Sequence, residues 1–402
     1  MSDVLKADYG QEIEKGYDYR RAMEEASRCL LCYDAPCSKG CPAGTDPAKF
    51  IRSLRFRNVK GAVETIRENN ALAGCCAKVC PYDQLCEQAC SRCGIDKPIN
   101  IGKLQRFLVE EEEKENMNFL RPEEKNGKKV ACIGAGPSSL SCARELALKG
   151  FDVTIYEERE KAGGMLTYGI IPSRLPQATV DHDVDLVKAV GVKFEFNQKI
   201  DRKRLEELRK EYDAVYVGIG LWTAKIPDIP GTDLEGVVGA VDFLEAARSG
   251  KLTELPDNVF VVGGGDVAMD CVTTAKQLGA KNAAIVYRRT IGEAPADMDE
   301  VKLVQSMGIP MYTQFAPQAV EGKDGKVTAF VTKGRDGESS MTLKADMVVF
   351  AIGQAIEDEY SDFKAADGVF IGGDMKASRG ATVVQAVADG KEAALAIENY
   401  LV

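Results

Sequence analysis

The 402 residues include 52 basic and 62 acidic side chains, giving a formal net charge of −10, and 45% of them are hydrophobic. This length and apolar content predict two or three packed domains and exclude a disordered chain. The acidic balance argues against a nucleic-acid-binding protein, which usually presents a basic face. No segment resembles a signal peptide or an apolar membrane span, so we expect a cytoplasmic protein with no membrane partner.

The cysteines are distributed unevenly along the chain. There are 13, and ten of them lie between Cys29 and Cys93. Disulfide frameworks are typical of short secreted chains, so this concentration in a long cytoplasmic chain predicts metal ligation. Iron–sulfur clusters use thiolates, whereas zinc sites often use imidazole, and the chain has a single histidine, His182. His182 lies in a polar segment and receives no predicted role.

The cysteine spacings fall into two short-range groups. These groups are Cys29-x2-Cys32-x4-Cys37-x3-Cys41-Pro42 and Cys76-x3-Cys80-Pro81-x4-Cys86-x3-Cys90. Short spacings let several thiolates converge on one cluster face, and a final Cys-Pro often serves a second cluster. Eight cysteines suffice for two [4Fe–4S] clusters. A pair of structural zinc sites is the alternative, although zinc sites usually show simpler paired CxxC knuckles.

Apolar periodicity divides the rest of the chain. Helix-like spacing in Asp46–Asn69 and Lys103–Glu115 predicts an α-helical cluster domain over residues 1–125. Two strand–turn–helix–strand units follow, and they predict two Rossmann-like α/β domains that bind dinucleotides. We expect residues 126–245 with 346–402 to form the FAD-binding domain and 246–345 the NAD(P)-binding domain.

The first glycine turn follows the predicted strand KVACI and begins a helix. It reads Gly134-Ala135-Gly136-Pro137-Ser138-Ser139. Glycines permit a tight turn and let backbone N–H groups approach a pyrophosphate at the helix N-terminus. Glu157 ends the next strand about 20 residues further on, where a carboxylate can accept a hydrogen bond from a ribose hydroxyl.

A second candidate part of the flavin site lies near the C-terminus. Gly373 and Asp374 follow a predicted strand, and Thr382 and Val383 begin a helix. A carboxylate at this place can bind a polyol hydroxyl, and a helix N-terminus offers partial positive charge to a flavin carbonyl. Together with the first turn, these residues predict the far end of an FAD site.

The second glycine turn begins the other dinucleotide-binding unit. It reads Gly263-Gly264-Gly265-Asp266-Val267-Ala268. No acidic residue ends the following strand, and Arg288 and Arg289 stand there instead. Two guanidinium groups can hold a 2′-phosphate, which favours NADP, unless the two arginines only face solvent.

With these motifs in view, the chain resembles the iron–sulfur flavoprotein subunit of dihydropyrimidine dehydrogenase. The similarity is carried by EASRCLLCYDAPCSKGCPAGTDPAKFIRSL, CAKVCPYDQLCEQAC, PINIGKLQRF, VACIGAGPSSLSCA, GGMLTYGIIPSRLP and VFVVGGGDVAMDC. It covers nearly the whole chain. The small subunit of glutamate synthase shares the same plan.

The resemblance implies that each cluster takes ligands from both cysteine groups. One set would be Cys29, Cys32, Cys37 and Cys90, and the other Cys41, Cys80, Cys86 and Gln105. The spacing alone offers Cys76 where the resemblance implies the Gln105 oxygen. Glutamate synthase small subunits carry glutamate at that position, so Gln105 discriminates between the two families.

The resemblance also implies the nucleotide contacts. Those to FAD would come from Gly134, Gly136, Pro137, Ser138, Glu157, Gly164, Leu166, Arg174 and Asp374. Those to the nicotinamide nucleotide would come from Gly265, Asp266, Val267, Ala268 and Arg288. The bacterial enzyme of this type is generally NADH-dependent, which conflicts with the arginine pair, so both nicotinamides stay open.

The implied activity is an NAD(P)H-dependent flavin oxidoreductase of the dihydropyrimidine dehydrogenase type. Electrons would pass from NAD(P)H through FAD and two clusters to a partner subunit that carries FMN and iron–sulfur clusters and reduces uracil or thymine. No catalytic residue is predicted, because hydride transfer to a flavin depends mainly on orientation. Three alternatives stay open: an electron-input subunit of glutamate synthase, a subunit of an electron-bifurcating NAD(P)H complex, and a non-enzymatic metal-stapled scaffold.

Overall fold

A computed structural model describes residues 9–361, 363–377, 380 and 382–402. The chain divides into two compact units. The first contains residues up to Ile13, Tyr168–Ser173 and Trp222–Glu357, and the second contains Glu14–Thr167, Arg174–Leu221 and Asp358–Val402. The predicted start of the helical domain at residue 1 lies outside the described residues. Among the helices of the described ranges, none is long and apolar enough to cross a bilayer.

The N-terminal part of the second unit is helical, as predicted. Its helices are α1 (Tyr19–Ser27), α2 (Pro36–Lys39), α3 (Pro47–Arg55), α4 (Val59–Asn69), α5 (Ala73–Val79) and α6 (Ile101–Lys114), with 3₁₀ turns at Tyr82–Gln84 and Ser91–Gly94. Asp18, Asp46 and Asn58 begin α1, α3 and α4 by accepting a hydrogen bond from the backbone N–H three residues later. The helices bury one apolar core, on which Cys29 and Cys90 pack.

Strands and helices alternate through the rest of the chain. The strands are β1 (Lys129–Ile133), β2 (Asp152–Tyr156), β3 (Lys193–Glu195), β4 (Ala214–Val217), β5 (Thr223–Ala224), β6 (Val237–Gly239), β7 (Asn258–Val262), β8 (Asn282–Tyr287), β9 (Met311–Thr313), β10 (Phe315–Lys323), β11 (Lys326–Gly334), β12 (Ser340–Lys344), β13 (Met347–Phe350), β14 (Gln354–Ala355) and β15 (Val369–Ile371). The helices are α7 (Pro137–Leu148), α8 (Met165–Tyr168), α9 (Gln177–Ala189), α10 (Arg202–Glu211), α11 (Ala240–Arg248), α12 (Asp266–Gln277), α13 (Met298–Ser306), α14 (Asp374–Ala377) and α15 (Val383–Leu401), with 3₁₀ turns at Ile291–Glu293 and Asp358–Tyr360.

Each unit contains one five-stranded parallel sheet. In the second unit the strand order is β15-β4-β1-β2-β3, so the C-terminal segment returns to complete the sheet that begins with β1. In the first unit the order is β6-β13-β7-β8-β9, accompanied by an antiparallel sheet β10-β11-β12 and a short β14-β5 pair. Both parallel sheets are of the Rossmann-like kind that the sequence predicts.

Two strands lie in a different domain from the one that the sequence predicts. Val237–Gly239 and Met347–Phe350, assigned there to the FAD-binding domain, pair with each other, and Met347–Phe350 also pairs with β7 in the other sheet. The strand MVVF is a short apolar run, and such a run fits the interior of either parallel sheet. Its placement depends on packing beside Val261 and Val262, which no local pattern specifies.

Helices α7 and α15 pack closely because small residues face each other. The hydroxyl of Ser141 donates a 2.8 Å hydrogen bond to the carbonyl oxygen of Val387. A Cβ added at Gly390 would stand 2.2 Å from the carbonyl oxygen of Ser138 and 2.9 Å from the Ser141 Cβ. Glycine at 390 is therefore required by this contact.

We expect Gly390→Ala to destabilise the protein in urea unfolding. Overpacking costs about 1–3 kcal/mol, which exceeds the roughly 1 kcal/mol that alanine gains over glycine in a helix. Gly292→Ala is the control, because a Cβ there meets no atom within 4 Å. A Gly390→Ala variant as stable as Gly292→Ala would contradict the tight contact between the two helices.

Candidate functional site

Four cysteines from both sequence groups surround one pocket, here termed the first cluster site. Cys29, Cys32, Cys37 and Cys90 line it, together with Leu30, Ala35, Pro36, Ala48, Ile51, Ser91, Arg92, Ile99 and Ile101. The pocket encloses about 360 Å³ of empty space, including its open mouth. The fold therefore interleaves the two groups, since Cys90 joins three cysteines from the other group.

The electrostatics of this pocket also reflect the proximity of its thiols. Burial raises the pKa of Cys29, and it raises the pKa of Cys37 to about 11, with contributions from the nearby Cys90 and Cys29 thiols. Within the described residues, no three His, Cys, Asp or Glu side chains converge on a position for a single metal ion. Thiols that ring a pocket suit a polynuclear cluster held by four cysteines, whose iron ions stabilise the thiolate form. The four residues fit a [4Fe–4S] cluster, and their ligation stays a prediction.

A second group of thiols gathers around Cys80. Hydrogen bonding to Cys76, together with burial, raises the pKa of Cys80, and the Cys86 and Cys41 thiols raise it further. The structure thus brings together Cys41, Cys80 and Cys86, the three cysteines predicted to share a cluster, here termed the second cluster site. Cys76 is 1% exposed and lies beside them as a fourth sulfur.

Gln105, the predicted non-cysteine ligand, is held against the same segment. Its side chain is buried on α6, and its amide nitrogen donates a 2.9 Å hydrogen bond to the carbonyl oxygen of Ala73 at the start of α5. Gly102 lets α6 approach the Tyr82 ring, since a Cβ there would meet that ring at 2.3 Å. Because the amide nitrogen is engaged, the carbonyl oxygen is the atom of Gln105 that would coordinate iron.

The choice between Gln105 and Cys76 as the fourth ligand can be tested directly. We expect Gln105→Ala to lower the iron content from about eight atoms per chain, the content of two [4Fe–4S] clusters, and to abolish one of two reduced-state EPR signals. Cys76→Ser should retain both signals, which makes it the matched control. Loss of a cluster in Cys76→Ser with full iron in Gln105→Ala would instead make Cys76 the ligand.

The first glycine turn forms a cradle at the N-terminus of α7. Gly164, at a φ of +55°, lies so close to Gly136 that an added Cβ would stand 2.9 Å from its Cα. Gly373, at a φ of +67°, approaches Ser138 in the same way, with an added Cβ 2.6 Å from its Oγ. Larger residues would fill this cradle, whereas backbone N–H groups and a helix N-terminus suit a pyrophosphate. The residues present therefore fit the pyrophosphate of FAD.

Glu157 lies at the place expected for a ribose-binding carboxylate. It is 5% exposed, and its two oxygens accept backbone hydrogen bonds from Ala135 at 2.7 Å and Arg159 at 2.9 Å. Burial raises its pKa, although these two N–H donors act in the opposite direction. The carboxylate is thus locked beside the glycine turn, and remaining lone pairs of its oxygens can accept from a ribose hydroxyl.

Other predicted flavin contacts flank this cradle. Leu166 is fully buried in α8, and Asp374 begins α14. At the start of α15, Thr382 forms a capping box in which its backbone N–H donates to the side chain of Gln385. Since that N–H is engaged, Val383 supplies the first helical N–H that could face a flavin carbonyl.

The second glycine turn begins α12 in the other unit. A Cβ at Gly264 would meet the Tyr287 ring at 2.4 Å, so this glycine allows the turn to pack on the end of β8. The carboxylate of Asp266 accepts a 2.7 Å hydrogen bond from the backbone N–H of Asp297. Ala268 is fully buried in the core, so only its backbone is placed to act as a nucleotide contact.

The arginine pair lies at the carboxyl end of β8. Arg288 and Arg289 are exposed, and no ion pair to either is found in the described part of the chain. Glu293, on the following turn, accepts hydrogen bonds from the Thr290 backbone and hydroxyl and pairs with Arg335 at 3.1 Å. Sequence reasoning missed Arg335 because it lies in the turn between β11 and β12, far along the chain.

Two family models match this chain, and together they cover most of it. The model described as dihydropyrimidine dehydrogenase domain II, 4Fe-4S cluster, matches residues 6–117. The model for pyridine nucleotide-disulphide oxidoreductases matches residues 128–376. The boundary between them falls between α6 and β1, where the helical region gives way to the first parallel sheet.

Individual proteins extend the similarity. The NAD-dependent dihydropyrimidine dehydrogenase subunit PreT homolog of Salmonella typhi is 42% identical over 98% of this chain and 97% of its own length. The NADP(+)-dependent formate dehydrogenase subunit beta of Moorella thermoacetica is 33% identical over 91% of this chain and 60% of its own length. FprA of Mycobacterium tuberculosis, solved in complex with NADPH, matches with a TM-score of 0.58 at 17% identity, over 70% of this chain and 85% of that one, and it supports the fold alone.

The helical cluster domain and the two dinucleotide-binding sheets define an iron–sulfur flavoprotein, an NAD(P)H-dependent oxidoreductase whose cofactors are FAD and [4Fe–4S] clusters. The chain belongs to the family of the iron–sulfur flavoprotein subunits of dihydropyrimidine dehydrogenase.

Proposed function

We propose that this chain is the electron-input subunit of a dihydropyrimidine dehydrogenase. It takes reducing equivalents from a reduced nicotinamide and delivers them to a partner subunit that contains FMN and iron–sulfur clusters and reduces uracil or thymine. One observation carries the proposal. A single compact unit contains the two sets of clustered cysteines, Gln105 and a flavin-type glycine turn. Substrate reduction is assigned to a partner because the Salmonella relative is itself named as a subunit.

The residues of the chain have defined tasks in this scheme. Bound FAD would supply the chemistry that couples a two-electron hydride donor to one-electron clusters. Glu157 orients the ribose, and the N-terminus of α7 holds the pyrophosphate through backbone N–H groups and the helix dipole. No general acid or base is required of the protein, because orientation supplies most of the acceleration of hydride transfer.

Gln105 favours a pyrimidine-reducing complex over a glutamate synthase. The resemblance implies glutamate at this position in glutamate synthase small subunits, and a carboxylate would add a negative charge beside the iron. The neutral amide of Gln105 is instead anchored to Ala73 by its nitrogen.

The division of labour between subunits gives a direct test. We expect the purified chain, loaded with FAD and clusters, to reduce a dye with NADH but to leave uracil unchanged, because no pyrimidine site is assigned to it. Adding the purified FMN-containing partner should start uracil reduction, which is measured as the consumption of NADH. Uracil reduction by the chain alone, or none with the partner present, would refute this assignment.

The nicotinamide preference tests the arginine pair. If Arg288 and Arg289 hold a 2′-phosphate, changing both to alanine should lower kcat/KM for NADPH roughly 10- to 100-fold, the value of one or two charge-assisted hydrogen bonds. The value for NADH should change less than about twofold, because NADH has no phosphate at this position.

Lys281→Ala is the control for the arginine pair. Lys281 is an exposed cation at the opposite end of β8 and pairs with Asp257 at 2.8 Å. This variant should have the same kcat/KM for NADPH and for NADH as the unmodified protein. An unchanged NADPH-to-NADH ratio in the double arginine variant would show that the pair only faces solvent.

A further inference from the structure

A buried cluster of charges joins the helical region to the helix that follows the predicted flavin contacts. Arg67 of α4 pairs with Glu112 of α6 at 2.5 Å and with Asp183 of α9 at 2.7 Å, and all three side chains are at most 2% exposed. His182 lies 3.3 Å from Glu112 and completes the cluster. Burial alone would raise the pKa of Glu112, but the charge of Arg67 and the hydrogen bond with His182 lower it.

Asp183 also holds the N-terminus of α5. Its two carboxylate oxygens accept backbone hydrogen bonds from Gly74 at 3.2 Å and from Cys75 at 2.8 Å. Leu72, which precedes α5, has no side-chain acceptor of its own. An unsatisfied helix N-terminus is unfavourable when buried, so the acceptor that α5 lacks locally is supplied by a residue more than 100 positions away.

Helix α5 in turn determines the geometry of the second cluster site. Cys76 lies within α5, and Cys80 is its C-terminal cap residue. The carbonyl oxygen of Ala73, in the same first turn that Asp183 holds, accepts the hydrogen bond that orients Gln105. A movement of Asp183 would therefore move two of the four predicted ligands of this site.

The N-terminal half of α9, which precedes Asp183, contacts the predicted flavin cradle. Val180 lies one turn before Asp183, and a Cβ added at Gly163 would stand 2.9 Å from its Cγ1. Gln177, at the start of α9, donates a hydrogen bond of 3.4 Å to Thr167, which packs on the same glycine. One rigid helix thus touches the loop that approaches Gly136 and the helix that carries Cys80.

We propose that Asp183 is a positioning residue for electron transfer, and that it holds the ligands of the second cluster site at a set distance and orientation from the flavin. This inference rests on the proposed function, because it assumes that electrons pass from the flavin to that cluster. Residues that orient metal ligands through hydrogen bonds commonly affect metal affinity or activity when they are mutated, nearly as strongly as the ligands do. Asp183 supports ligands of one cluster only, so its effect should be selective.

The experiment compares two successive steps in the full-length chain with FAD and both clusters bound. Stopped-flow mixing with NADH separates bleaching of the flavin from bleaching of the clusters. In Asp183→Asn, we expect flavin reduction within about twofold of the unmodified rate and cluster reduction slowed roughly 10- to 100-fold. EPR of the reduced protein should show one altered cluster signal and one unchanged, with normal FAD content.

Two variants serve as controls. Asp201→Asn removes an equivalent capping carboxylate, which accepts a 2.7 Å bond from the Arg204 backbone on α10, and should leave both steps unchanged. Glu112→Gln weakens the charge cluster but keeps the bonds from Asp183 to α5, so it should lower stability without slowing cluster reduction. Equal slowing in Glu112→Gln and Asp183→Asn would overturn the positioning role, because charge burial alone would explain it.

Unchanged cluster reduction and EPR signals in Asp183→Asn would also overturn the proposal. If Asp183→Asn loses its clusters during folding, Asp183→Glu, which keeps the charge on a longer side chain, must show the selective slowing. An Asp183→Glu variant identical to the unmodified protein in both steps would then assign a purely structural role. Failure of the proposed function is distinguishable, since it would appear as clusters that NADH does not reduce in the unmodified chain.

Discussion

The guanidinium of Arg67 is the buried charge on which the organisation of the larger unit depends. It lies out of contact with water, and it persists there only because Glu112 and Asp183 compensate it from two other helices. Removing one partner of such a pair leaves an uncompensated charge and costs about 3–5 kcal/mol. The helical region supplies Arg67 and Glu112, and α9 supplies Asp183, so this ion-pair network joins the helical region to the part of the unit that contains the flavin-type sheet.

A half-buried cation, Lys391, also links distant elements of this unit. Lys391 of α15 donates hydrogen bonds to the carbonyl oxygens of Ala43 at 2.7 Å and Asn69 at 2.9 Å, and burial lowers its pKa. Ala43 follows Cys41, so α15 holds the loop of one predicted ligand while α9 holds the helix of another. Electron transfer requires stable distances between centres, and these contacts tie the predicted cluster ligands to the elements around the predicted flavin cradle.

Several of the motifs depend on local sequence alone. The cysteine spacings, the two glycine turns and Glu157 were recognisable because each motif brings its groups together within a few residues or across one βαβ unit. The side chain of Glu157 lies where the offset from the turn places it, bonded to Ala135. The assignment of Met347–Phe350 was wrong because a short apolar strand carries no information about which of two sheets it joins.

The sequence by itself determined the class of protein, since cysteine-rich and glycine-rich motifs require their residue types wherever they lie. Only the tertiary structure decided that Arg335 stands near the arginine pair through Glu293, and that Asp183 caps α5. These contacts connect residues far apart in the chain. Buried charges and helix ends are satisfied by whichever side chain the fold brings near, so no local pattern could have revealed them.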